Sequence, residues 1–339
     1  MAGRSGSLDA MRGLAVLFML EVHLGSWWAR SLPPGEPLVE AGTILGGMAA
    51  PVFLVLAGAG LALSRAHEPE GFLRRSAVRG AALLAVGVVF TFIEQAVYGP
   101  FGWGVLQSIG LSMLLCAPLM RLERRWRELL GIVILASAMF AQGLLGVPEM
   151  LYSDQMMQAG SLAEYMRNML VSGFFPLLPW TGFMVLGTAA GERAAASGNA
   201  PGRWGIAAVS LPLLLIFAGA LLAGYGVEPQ FFPPSLSFSF LASGIVLLAI
   251  PVFLAVDAGR ARPLSGLGRI SLTVFIAHHF LGYELFRALG WLRGFELGAA
   301  LALVLASWAI ALVAGWAWAR ADFRWSLEWM LGRISRGAF

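Results

Sequence analysis

The sequence has no lysine, a single cysteine and little charge. Its 23 basic residues are all arginine, and charged residues of both signs fill 12% of 339 positions. A soluble domain carries about 25% charged residues, so the shortage excludes an ordinary globular surface. The lone Cys116 excludes an internal disulfide, and its apolar surroundings in sequence make it an inert core residue. P-loops, nucleotide-binding glycine loops and deaminase spacings are also missing. The 42 glycines, many in GxxxG-like pairs, suit close helix packing instead.

What is abundant is apolar sequence. Hydrophobic residues make up 58% of the chain, and the mean hydropathy is +0.77. Ten apolar segments stand out, at 8–28, 42–64, 77–98, 104–120, 129–147, 173–191, 205–225, 236–256, 267–287 and 296–319. Roughly twenty such residues cross a bilayer as helix. The connectors at 64–80, 121–128, 191–203 and 257–269 are rich in arginine and alternate with poor ones. Positive residues stay on the cytoplasmic side. The distribution therefore predicts an all-α, polytopic integral membrane protein of about ten transmembrane helices with both termini cytoplasmic. Only Arg30, Arg167, Arg287 and Arg293 then lie outside, and residues 1–339 form a single transmembrane domain. The first segment has no small-residue cleavage site before "SWWAR", so it is expected to remain a span.

That first span, "SLDAMRGLAVLFMLEVH" (7–23), carries Asp9 and Arg12 at its cytoplasmic end and His23 deeper in the membrane. Eleven residues of α-helix separate Arg12 from His23 by roughly 16 Å along the axis and about 20° around it, so they share a face. Intramembrane ionisable residues are costly and usually face a bundle interior or a cavity. Two plain readings exist: Arg12 snorkels to the interface with Asp9 as its i−3 partner, and His23 bonds a neighbouring helix. Together the two suit chemistry instead. Arginine pairs with phosphate, and a neutral imidazole takes a proton from an acceptor hydroxyl or amine. A phosphorylated cytosolic donor with a long arm would reach from one to the other.

Further polar residues sit at similar depth. His278 and His279, midway along the ninth segment, are adjacent and would face about 100° apart on an α-helix. At most one is then expected to share a cavity with His23. Two adjacent histidines do not converge on one ion, and no Cys or carboxylate is suitably spaced, so no metal is expected. Glu94 and Gln95 end the third segment and Gln107 begins the fourth; they would orient the base, bind acceptor or bond neighbouring helices. Trp180, in "FPLLPWTG", would belong to an interfacial belt or stack on a sugar. The external connector 148–172, with Asp154, Glu164 and Arg167, would form part of an acceptor vestibule.

These motifs carry a resemblance. Arg-x10-His after "LDAMRGLA" resembles the first-helix signature of the transmembrane acyltransferase superfamily, acyltransferase-3 enzymes included. "APVFLVLAGAGLALS", "GVLQSIGLSML", "FPLLPWTGFMVLGTAAGE", "PPSLSFSFLASGIVLL", "LGRISLTVFIAHHFL" and the tail "FRWSLEWMLGRISRG" are similar to the heparan-α-glucosaminide N-acetyltransferase-type catalytic domain. The resemblance implies transfer of an acetyl or other short acyl group from cytosolic acyl-CoA to a glycan or other acceptor across the membrane. Arg12 and Asp9 would hold the phosphate end of CoA and His23 would be the catalytic base. Gln107, His278, His279, Glu94 and Trp180 would support the site. Lysosomal-type members tend to have Asn where His23 stands, with their catalytic His in the following loop; the loop here has none.

Implied partners are membrane lipid, acyl-CoA, the acceptor and a second copy as a homodimer, with no nucleic acid. Lysine-free, Ala- and Gly-rich usage points to a high-GC bacterium and its inner membrane. Direct attack on the thioester and an acyl-histidine route both stay open. The rival reading is a transporter or flippase, whose inverted repeats would interrupt helices symmetrically. Pro51, Pro118, Pro179 and Pro251 are not so placed. A noncatalytic scaffold needs no shared face for Arg12 and His23.

Overall fold

A computed structural model describes residues 5–94, 102–147, 159–197, 206–256 and 261–337; Gln95 and Asp154 lie outside them. Among the described residues every regular element is helical, and the only β pairing is an isolated bridge between Ala29 and Phe295. Each of the ten apolar segments holds a helix. By length and composition, five helical stretches are able to cross a membrane, or up to seven if each of two bent pairs is one span. The segments at Val105–Leu119 and Val209–Gly224 are shorter apolar helices.

The chain forms two compact units. A terminal unit comprises Ser5–Phe53 and Phe253–Arg333, and a middle unit contains Leu54–Val252 and the last described residues from Ile334 on. The terminal unit opens with α1 (Gly6–Trp28), where the Ser5 hydroxyl accepts from the Leu8 amide and Asp9 occupies the first turn. Both features suit a helix N-terminus. Pro37, whose fixed φ favours a first helical position, starts α2 (Pro37–Gly47).

Helix α3 (Ala49–His67) crosses the boundary into the middle unit. There follow α4 (Phe72–Ile93), α5 (Val105–Leu119), α6 (Arg124–Leu144), the short α7 (Leu162–Arg167), α8 (Leu177–Ser197), α9 (Ile206–Gly224) and α10 (Leu236–Ala255). Helix α8 is apolar from Leu177 to Gly191 save for Thr181 and Thr188, and it is buried along nearly its whole length. Gly131, Leu135 and Ala138 form the buried stripe of α6, and Leu186 of α8 meets Gly131 there. The opposite face of α6 exposes Leu129, Val133, Phe140 and Leu144. In a membrane chain that face meets lipid.

The terminal unit resumes with α11 (Arg262–Arg269) and α12 (Ser271–His278), then a π-helical turn over His279–Glu284, α13 (Leu285–Ala288), α14 (Leu297–Arg320) and α15 (Leu327–Arg336). Ile270, at φ −115° and ψ 25°, breaks the helix between α11 and α12. The stretches on either side of the break are bent by 69°. Helix α11 lies directly on α1. A Cβ at Gly13 would fall 2.0 Å from the Leu264 carbonyl oxygen, and one at Gly268 would fall 1.8 Å from that of Asp9. Only glycine permits this approach, and it fixes the Asp9–Arg12 end of the opening motif against the segment that leads to His278.

Candidate functional site

Asp9, Arg12, His23, His278 and His279 all lie in the terminal unit. Arg12 Nη1 donates to Asp9 Oδ1 at 2.6 Å; the Asp9 side chain is 4% exposed and that of Arg12 22%. Asp9 thus anchors the guanidinium while part of it faces outward. Further along α1, His23 meets α12. Its Nδ1 lies 2.8 Å from His278 Nε2, and the two rings stack with centroids 5.1 Å apart.

The partners assign the tautomers. His278 Nδ1 lies 3.3 Å from the Val274 carbonyl oxygen, which only accepts, so this nitrogen carries the proton. In a neutral ring Nε2 is then bare and accepts from His23 Nδ1–H. The lone pair of neutral His23 is left on Nε2, the geometry of a base held by a second imidazole.

His279 joins the same cluster. Its ring centroid is 4.5 Å from that of His278 and 5.9 Å from that of His23, both edge-on. This corrects the expectation that only one of the two adjacent histidines would reach His23. The cause is the change from α- to π-helix at His279, which alters the angle between successive side chains. Trp27, one turn beyond His23, stacks on it at 5.4 Å, and Phe275 meets both His278 and His279. Backbone bonds from Arg293 to Trp27 and from Phe295 to Trp28 hold the end of α1. Trp28 Nε1 also donates to the Gly282 carbonyl at 2.8 Å. His278 and His279 are buried, and His23 is the more accessible of the three.

At the other end of α12, Glu328 of α15 accepts from the backbone amides of Leu272 and Thr273 and from the Thr273 hydroxyl. Burial raises its carboxyl above the ordinary range, opposed by those hydrogen bonds. The carboxylate caps the helix that carries His278.

The remaining expected residues lie in the middle unit and have other surroundings. Gln107 caps α5: its Oε1 accepts from the Gly104 amide, and its Nε2 donates to Thr91 Oγ1 and the Gly102 carbonyl. Glu94 is fully buried at the C-terminal end of α4. Trp180, expected at an interface, has 0% exposure; Phe175, Phe183, Phe231 and Phe238 surround its ring and leave no face for a sugar. Arg127, one of the arginines in the 121–128 connector, is buried rather than offered to a phosphate. It pairs with Glu192 and donates to Thr188 Oγ1 at 2.9 Å. Arg65, Arg74 and Arg121 instead line a hollow of about 280 Å³ with no acidic residue in its wall.

Sequence reasoning missed Trp27, Glu328 and the burial of Arg127. Trp27 was accessible as the residue one helical turn from His23. Nothing local pairs Glu328 with residue 272 or Arg127 with residue 192.

The apolar helices define a helical membrane protein, and its terminal unit gathers three histidine rings at one place. Residues 4–225 match the family model described as heparan-alpha-glucosaminide N-acetyltransferase, catalytic, and the chain belongs to that family. The matched residues include Asp9, Arg12 and His23 and end before His278. No curated protein matches the chain.

Proposed function

We propose that the protein transfers an acetyl or other short acyl group from cytosolic acyl-CoA to a hydroxyl or amine, on a glycan or similar acceptor, at the extracytoplasmic side of the membrane. His23, backed by His278 at 2.8 Å, is the observation that carries this reading. His23 Nε2 takes the acceptor proton as the acceptor oxygen or nitrogen bonds to the acyl carbon. The C–S bond breaks, CoA leaves as thiolate, and the proton passes from the imidazolium to solvent or to the thiolate. Arg12, steadied by Asp9, pairs with a phosphate of the donor. Its place near the start of α1, about 16 Å along the axis from His23, suits a donor with a long arm between phosphate and thioester. A topology of ten spans with both ends cytoplasmic, as the arginine distribution predicts, would put Arg12 on the donor's side.

Acetyl transfer by detergent-purified protein tests the reading. His23→Ala should lower kcat by about 10²- to 10⁴-fold, the usual worth of a general base. Acetyl-CoA at a hundred times its Kd should stabilise the protein by about 2.7 kcal/mol. That stabilisation should survive His23→Ala and weaken with Arg12→Ala. A folded protein that no acyl-CoA stabilises would favour the transporter reading.

A further inference from the structure

We propose that His23, His278 and His279 form a binding site for a borderline divalent transition metal of the Zn²⁺ class, and that the bound ion switches the acyl-transfer base off. Each ring offers one ligand nitrogen, and these three atoms lie within 4.8 Å of one another. A tetrahedral ion with bonds of 2.0–2.1 Å needs its ligands about 3.4 Å apart. Opening the His23–His278 pair by about 0.6 Å and closing the wider separations by up to about 1.4 Å meets that requirement; side-chain torsions span this range. The π-helical turn makes the site feasible by bringing adjacent histidines together, and such turns recur at functional positions.

The surroundings match those of metal ligands. His278 is oriented by its Nδ1–H bond to the Val274 carbonyl, the outer contact that metal-binding imidazoles commonly make. Three neutral imidazoles, without carboxylate or thiolate, select Zn²⁺, Co²⁺, Ni²⁺ or Cu²⁺ over Mg²⁺ and Ca²⁺, which prefer oxygen. A fourth position is left for water.

The switch follows from the tautomers and rests on His23 being the base. In the metal-free pair, a proton sits between His23 Nδ1 and His278 Nε2, and His23 Nε2 is bare. An ion between the rings takes the Nδ1 lone pair, so the neutral ring must carry its proton on Nε2. That nitrogen then has nothing with which to accept a proton from the acceptor. Proton bridge and metal bridge exclude each other.

The experiment uses the full chain in detergent. Co²⁺ is titrated into metal-free protein and followed by visible absorption and bound-metal stoichiometry; Zn²⁺ is added in parallel acetyl-transfer assays. Expected are one Co²⁺ per chain with a tetrahedral spectrum, displacement by Zn²⁺, and loss of both signals in His279→Ala and His279→Gln. Zn²⁺ should inhibit the wild type, reversibly with chelator, and at least tenfold higher Zn²⁺ should be needed for each His279 variant relative to its own metal-free rate. Wild type that takes up no Co²⁺ overturns the site, as does an unchanged spectrum in both variants. Faster transfer with Zn²⁺ overturns the switch. Should His23→Ala keep full acetyl transfer while the wild type binds Co²⁺, the assignment of the base fails and the metal site stands. Should His23→Ala be inactive while no Co²⁺ binds, the reverse holds.

Discussion

His278 donates through one nitrogen and accepts through the other, and that division decides which end of His23 is basic. Replacing it tests the division without touching the base. In His278→Gln the side-chain oxygen can still accept from His23 Nδ1–H, whereas His278→Leu offers no acceptor and leaves His23 free to take the wrong tautomer. We expect His278→Leu to lose about ten- to a hundredfold in kcat, the usual effect of removing an orienting partner. KM for acetyl-CoA should hold, and His278→Gln should recover much of the loss. Equal activities at equal thermal stability would show that no tautomer is being set. A second residue-scale test concerns Arg127 and Glu192. Arg127 is 1% exposed, while the Glu192 side chain is 43% exposed. Glu192→Ala strands a buried cation and should cost about 3–5 kcal/mol in reversible unfolding. Arg127→Met strands only a carboxylate that water can reach, so its cost should be smaller. The opposite order would mean that the ion pair is not what holds α6 to α8.

At the scale of elements, the contact between α1 and α11 depends on two hydrogens in place of methyl groups. Gly13→Ala and Gly268→Ala should each destabilise the fold by about 1–3 kcal/mol, because backbone on both sides must move. Gly60, in α3, has no atom within 4 Å of an added Cβ. Gly60→Ala should therefore leave stability unchanged or raise it by about 0.5–1 kcal/mol. Equal effects at all three sites would remove close packing as the explanation. These elements also show what was legible beforehand. Apolar run length located a helix in each of the ten segments, and uniform helical spacing placed Arg12 and His23 correctly on one helix. The same uniform spacing failed at residues 267–287. Ile270 breaks that segment and His279 begins a π-turn, so two side chains assigned to different faces meet at one centre. Neither event leaves a proline or other local signal at the break. Trp180 and Gln107 were placed on the correct helices, but their burial depends on distant phenylalanines and on the loop before α5, which local periodicity does not encode.

For the whole molecule, the distribution of arginine makes a claim about sidedness that thiol labelling can check. Cys116 is buried, so its background reactivity is low, and Cys116→Ser removes it. Glu68 and Glu123 are exposed and belong to two of the arginine-rich connectors. Glu164 and Glu296 are exposed and belong to arginine-poor ones. With ten spans and both ends inside, Glu164→Cys and Glu296→Cys should react with a membrane-impermeant maleimide on intact cells. Glu68→Cys and Glu123→Cys should react only after permeabilisation. A five- or seven-span arrangement has an odd number of crossings and must place the termini on opposite sides, which would reverse at least one connector relative to the others. The pattern matters for chemistry as well as topology. Arg12 follows the N-terminus and His23 lies about half a helix-length further on, so in the proposed reaction the side that holds the N-terminus is the side from which the phosphate-bearing donor approaches. An external N-terminus would put Arg12 where no cytosolic acyl-CoA reaches it, and the donor reading would fall whatever the histidines do.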